Sequence, residues 1–203
     1  MDTKEPTWAN ATAAGLVALA VACVGFFAVL NGHVSGASLR LFGAILLGGF
    51  VIQVITALVD LKQGNLAGGN TFTFFCAFFM LASGIEMFIK AAGGADARID
   101  GWLWATLGVV LILWTPAFLK TPVILLGIVV SLDLAIPFVA IHNFVSVSNP
   151  DLSLVAGRIA GWILLVGGVM GAYLSSAMVV NGTFGKPIYP NPGPLYKAKG
   201  SAD

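Results

Sequence analysis

Six uncharged stretches, each long enough to cross a bilayer, fill nearly all of this chain, so hydrocarbon is the solvent it is built for. They cover residues 13–30, 41–59, 71–85 (continuing to about 88), 101–119, 121–144 and 159–180, and the fifth carries a single Asp133. Crossing the apolar layer of a bilayer takes roughly 20 apolar residues. With 203 residues in all, six such spans leave only short connections and no room for a water-soluble domain. Membrane β-strands would alternate apolar and polar at every second position, whereas these runs are apolar on nearly every face. The expectation is an all-α membrane protein with six transmembrane helices per protomer. A cytoplasmic N-terminal segment would cover residues 1–12, the six-helix domain 13–180, and a Pro-rich basic tail 181–203.

Only 9% of the residues are charged, against about 25% in a soluble domain. The net charge of +1 argues against a nucleic-acid partner. The residues before the first span hold Lys4 beside Asp2 and Glu5, which is not the basic start of a secretory signal, and the apolar run is longer than a signal's core. The first span therefore reads as a retained helix. With six spans both termini lie on one side. That side would hold Lys4, Lys62, Lys120, Lys186, Lys197 and Lys199, against Arg40, Lys90, Arg98 and Arg158 on the other. The excess of cations favours cytoplasmic termini, in a plasma (inner) membrane.

The loops are predicted at 31–38, 63–70, 91–100 and 146–151, with a tight αα-hairpin where Lys120 and Thr121 precede Pro122. Proline suits the first turn of a helix because its missing N–H would be unpaired there anyway. The tail carries Pro187, Pro190, Pro192 and Pro194 and reads as extended and solvated. Small residues recur every fourth position at Gly167, Gly171 and Ser175, at Gly168, Ala172 and Ser176, and at Ala44 and Gly48. Such stripes let helices approach closely in lipid, within a bundle or between protomers.

Polar groups inside spans are costly and face a cavity or a partner. Gly49, Gln53, Thr56 and Asp60 share one face of the second helix. Gln53 reads either as glue between helices or as a donor lining a pore. Asp133 is the sharpest single feature. It reads either as a proton or solute relay or as a structural hydrogen-bond partner, and Pro137 leaves the Asp133 carbonyl without its helical donor. On the relay reading, Asp133→Asn would change the pH dependence of transport. The third span is crowded with aromatics, and Thr71, Phe75 and Phe78 share one face. They read as packing, or as an apolar constriction. His142 reads as interfacial, Glu86 and Lys90 as an i, i+4 surface pair, and Cys23 and Cys76 as packing residues. No metal spacing, phosphate loop or nucleophile–base pair occurs, so neither an enzyme nor a cofactor is expected.

Gly49 and Gln53, then Leu58-Val59-Asp60-Leu61-Lys62-Gln63-Gly64-Asn65, then Phe72 and Phe75, resemble the acetate uptake transporter family. Further matches are Ala160-Gly161-Trp162 with Tyr173-Leu174 and Phe184-Gly185, and Leu119-Lys120 leading into Ser131-Leu132 and Asn143. The resemblance runs over about residues 10–190. The chain reads as a divergent member, since Asn10, Gly15 and Leu16 keep the family's N-terminal signature while Ala11 and Ala13 stand where it has prolines. The resemblance implies a ring-shaped homohexamer in which each protomer passes acetate and similar small carboxylates. By position Leu19, Phe75 and Leu132 would pinch that pathway, and Gln53, Thr71, Thr73 and Asn143 would hold the carboxylate. Asp133 would stand beside the pinch, where the family commonly has an uncharged small residue. The expected function is a channel or transporter for acetate and similar monocarboxylates, with succinate and proton symport as extensions. The alternatives are a channel for a small neutral solute, and a non-transporting accessory or scaffold subunit. The expected partners are the solute, lipid and further copies of the chain.

Overall fold

The computed structural model describes residues 8–196. Six helices are long and apolar enough to cross a membrane: α1 (Thr12–Leu30), α2 (Leu39–Lys62, entered through a single 3-10 turn at Gly36–Ser38), α3 (Leu66–Ala92), α4 (Arg98–Lys120), α5 (Val123–Phe144) and α6 (Pro150–Phe184). The last six residues of α4, Thr115–Lys120, tighten to 3-10 geometry.

The ends of these helices differ from their apolar stretches because caps, not hydropathy, set them. Asn65 accepts a hydrogen bond from the Gly68 amide at 3.0 Å and starts α3 directly after Gly64, whose φ is 78°. Residues 66–70, expected in a loop, are therefore helical. Asn149 accepts from the Leu152 amide at 3.1 Å, and Pro150 opens α6. That helix runs 35 residues to a left-handed Gly185, about 52 Å at 1.5 Å per residue, well beyond the ~30 Å hydrocarbon layer. Arg158, counted with a loop in the charge argument, lies two turns inside it. Pro122 stands just before α5 rather than in its first turn.

The helices pack in chain order around a ring. Helix α1 lies between α2 and α6, α5 lies between α4 and α6, and α2 packs on α3. Aromatic edges close the ring between α3 and α4, with Phe74 against Trp114 at 5.5 Å and Phe79 against Trp104 at 5.8 Å between ring centres. Small residues decide the closest approaches. A methyl group added to Gly168 would lie 3.0 Å from the Cys23 Cβ and 3.2 Å from the Ala20 carbonyl of α1. Across α2 and α3, one added to Gly43 would lie 2.7 Å from the Gly84 carbonyl. Gly167 faces Ser131 of α5, whereas Ala44 and Gly48 point outward.

Helix α3 is not uniform. Residues Phe75–Ala82 form a π-helix between two α-helical halves. Its i→i+5 bonding widens the turn, so the residue four positions on, rather than three, returns to the same side. Thr71, Phe75 and Phe79 are buried, while Phe78 points outward at 40% exposure. The expected shared face of Thr71, Phe75 and Phe78 therefore breaks at Phe78.

The tail returns to the helices. Asn181 holds it with three hydrogen bonds, to the Ile188 and Tyr189 amides and the Tyr189 carbonyl. Residues 192–196 then lie along the α4–α5 hairpin, with Val123 N–H on the Pro192 carbonyl, Tyr196 N–H on the Leu119 carbonyl, and the Lys120 ammonium 5.7 Å from the Tyr196 ring centre. The part of the tail within the described residues is thus extended but tied down. Lys197, Lys199 and Lys4 lie outside them.

Candidate functional site

The inward face of α5 carries Leu125, Ile128, Val129, Leu132, Ile136, Val139 and Asn143, a 3.6-residue repeat. Together with the other helices of the ring it encloses two cavities. The narrow one, about 60 Å³, lies toward the side of the chain termini and is lined by Thr12, Leu16, Leu19, Gln53, Thr71, Phe75 and Leu132 among others. The wide one, about 230 Å³, lies toward the other side, among Phe26, Phe75, Phe79, Trp104, Leu132 and the polar groups Ser83, Glu86, Lys90, His142 and Asn143. Phe75 and Leu132, 3% and 2% exposed, belong to both linings. They form an apolar partition between two chambers, and Leu19, buried in α1, stands beside it in the narrow chamber.

The polar residues of the narrow chamber are incompletely satisfied. Gln53 is fully buried. Its Nε2 donates to the Gly15 carbonyl at a long 3.5 Å, and its Oε1 has no partner among the described residues. The buried Thr71 hydroxyl has none either. Buried polar atoms are rarely left unpaired, so two of them on one small chamber give it hydrogen-bonding capacity that its own walls do not meet. The amide of Gln53 can turn about to present either donor or acceptor. Thr56 and Asp60, on the same face, are instead absorbed by structure. Thr56 donates to the Ile52 carbonyl at 3.0 Å, while Asp60 accepts from Thr12 at 2.9 Å and from Asn65 at 3.0 Å. Asp60 thereby ties the start of α1 to the α2–α3 turn, which gives the Asp60-to-Asn65 motif a structural reason. Asn143 lines the wide chamber and donates to the Val139 carbonyl at 2.9 Å.

Two expected pathway residues are elsewhere. Thr73 is exposed on the outer side of α3, lines neither chamber, and donates to the Gly69 carbonyl at 2.7 Å. Two positions along a helix are about 200° apart, so Thr71 and Thr73 cannot face one cavity. Asp133 likewise lines neither chamber. Its Oδ2 accepts from the Thr115 hydroxyl of α4 at 2.6 Å, and its Oδ1 is unpaired. It is one position, about 100°, from Leu132, and that rotation turns it to the α4–α5 contact. Asp133 thus makes a hydrogen bond between α4 and α5 and faces neither chamber.

Three groups read from the sequence as a surface pair and an interfacial residue, Glu86, Lys90 and His142, line the wide chamber. Lys90 is more than the partner of Glu86. Its Nζ is 3.5 Å from Glu86 and 2.5 Å from the buried Asp100 of α4, and Glu86 and Lys90 both face the wide chamber. His142 lines the same chamber with Nδ1 2.9 Å from the Ser153 carbonyl and 2.9 Å from its hydroxyl. That hydroxyl donates to the His142 carbonyl at 2.8 Å, which leaves Nδ1–H as the donor to the Ser153 carbonyl. Asp100 is ten residues from Lys90 in sequence, and nothing in the spacing shows that α4 folds back onto the end of α3. Among the described residues no group of three or more His, Cys, Asp or Glu is arranged to share a metal ion.

This fold has a solved counterpart. The structure is similar to that of the bacterial acetate channel SatP, with a TM-score of 0.78 over 91% of this chain and 99% of that one, at 23% sequence identity. No family model matches the sequence, and no curated protein matches it. At that identity the likeness is one of fold, shared along most of the length of both chains.

Proposed function

We propose that the protein is a channel or transporter for acetate and similar small monocarboxylates, of the acetate uptake transporter type, each protomer carrying its own path. The observation that carries this reading is the pair of chambers stacked within one helix ring and divided by Phe75 and Leu132. The narrow chamber has room for a solute of roughly a few non-hydrogen atoms. Its unpaired Gln53 and Thr71 offer an amide and a hydroxyl to a carboxylate head. The partition of Phe75 and Leu132, with Leu19 beside it, offers an apolar slot for a methyl-sized end. A carboxylic acid titrates near pH 4, so at neutral pH the solute is an anion that lipid excludes, and a path that replaces its hydration is what it needs. Asn143 on the far side continues the polar contacts.

The likeness of fold to an acetate channel supports the same reading. We further propose a homohexamer in a plasma membrane with both termini cytoplasmic. The outward stripe of Ala44 and Gly48, with Trp102 and Trp162 exposed, supplies small and aromatic surface for contacts between copies. A neutral solute of the same size is the second reading, favoured by the excess of carboxylates around the wide chamber.

Uptake of labelled acetate into proteoliposomes, against empty liposomes and with excess unlabelled acetate, tests the proposal. Saturable uptake that competes away supports it. Uptake that acetamide suppresses and acetate does not selects the neutral solute.

A further inference from the structure

We propose that Glu86 sets the charge of the wide chamber and so decides, by its protonation, whether a carboxylate anion enters. The inference deepens the carboxylate reading and rests on it. It starts from a count of charges that face one space. Glu86 and Lys90 line the chamber, and Asp100, 6% exposed, holds the Lys90 ammonium from α4 at 2.5 Å, closer than Glu86 at 3.5 Å. Lys90 is therefore committed first to Asp100. The ionised Glu86 is left as surplus, and two carboxylates against one ammonium give the chamber one net negative charge. A monocarboxylate arriving there meets like charge in a space walled by Phe26, Phe79, Trp104, Leu132 and Ile136, where charges are poorly screened. With a proton on Glu86 the Lys90–Asp100 pair is balanced, and the chamber is neutral. The anion then enters beside a protonated carboxyl group that can donate a hydrogen bond to it, so that proton and solute occupy the path together.

Among the described residues no other element supplies a competing charge to this lining. Helices α1 and α2 contribute only apolar side chains to this lining, as does α6. Arg40 and Arg158 are exposed on the outside. His142 of α5 is the remaining titratable group in the lining, with its Nδ1 engaged by Ser153. Asp133, the other carboxylate near the level of the partition, faces α4 and Thr115.

The test is acetate uptake by the full-length protein in proteoliposomes across pH 5.5 to 8, with empty-liposome flux subtracted. Each variant is expressed as a ratio to wild type at the same pH, which cancels the solute's own titration. Glu86→Gln should give a ratio that rises with pH, to about ten-fold by pH 8, as expected when one charge at chamber distance is removed. Asp100→Asn frees Lys90 for Glu86, neutralises the chamber by a second route, and should raise the ratio in the same way. His142→Gln should leave the ratio flat. Flat ratios for both Glu86→Gln and Asp100→Asn, with wild-type uptake present, overturn the proposal while the carboxylate reading stands. If Glu86→Gln is inactive at every pH, Asp100→Asn decides alone by the same criterion. A ratio that rises for His142→Gln while staying flat for Glu86→Gln moves the charge control to the imidazole and likewise overturns it. No wild-type acetate uptake at any pH overturns the carboxylate reading itself, and the inference with it.

Discussion

Phe75 and Leu132 are the two residues that the linings of both chambers have in common, one from the start of the π-helical segment of α3 and one from the middle of α5. Any solute passing from one chamber to the other must part them. Phe75 is braced from both sides, stacked on Phe74 at 4.6 Å and edge-on to Phe79 at 5.4 Å, so the partition is a supported side chain.

Shortening either member should widen the passage. Phe75→Leu and Leu132→Ala are each expected to raise acetate uptake severalfold and to admit a monocarboxylate one or two carbons longer. Each would also lower stability, Leu132→Ala by about 2–5 kcal/mol if the cavity does not collapse. Uptake of a graded series of unlabelled competitors, together with thermal melts in detergent, measures both effects. Competitor preference unchanged in both variants would place the constriction elsewhere.

Asp133→Asn should leave the pH profile of uptake as in wild type, because the carboxylate meets Thr115 and not the solute. The amide keeps an acceptor for the Thr115 hydroxyl, so the stability change should stay within about 1 kcal/mol. An altered profile would return Asp133 to the pathway.

The legibility of the chain divides along the same line. Hydropathy gave the number of spans, because hydrocarbon leaves a helix few charges to carry. Resemblance to a family gave Leu19, Phe75 and Leu132, all of which line the narrow chamber. Depth in the membrane was readable for Asp133, but azimuth was not taken from it. Given Leu132 inward, the 3.6-residue repeat of Leu125, Ile128, Val129, Ile136 and Asn143 already turns Asp133 away, as Thr71 turns Thr73 away. The Lys90–Asp100 pair and the π-helical segment were beyond this reasoning. The first is a contact between helices, and the second is a change of period with no glycine or proline to announce it.

Gly168→Leu should disrupt the bundle. The α1–α6 approach leaves 3.0 Å to the Cys23 Cβ and 3.2 Å to a backbone carbonyl, and backbone cannot rotate away. Loss of the folded peak on size exclusion is the expected outcome, whereas Gly48→Leu, in open space, should keep a folded protomer. If copies meet through the Ala44 and Gly48 stripe, the same Gly48 variant would elute as a smaller oligomer.

Asp60→Ala should loosen the entrance of the narrow chamber. It strips Thr12 and Asn65 of a shared, buried acceptor, and hydrogen bonds to a charged group contribute about 1.5–3 kcal/mol each. A clear fall in melting temperature, with faster amide exchange at the start of α1, is expected. Unchanged exchange at Thr12 would show that Asp60 does not anchor it.

The π-helical segment of α3 holds one residue more than an α-helix would need to span the same height. In an ordinary α-helix one extra residue would turn everything beyond it by about 100°. The wide turn takes that residue up, so Thr71 below and Glu86 above still face the same interior of the ring. One helix thus absorbs a change of chain length at mid-height while the narrow and the wide chamber each keep their own lining.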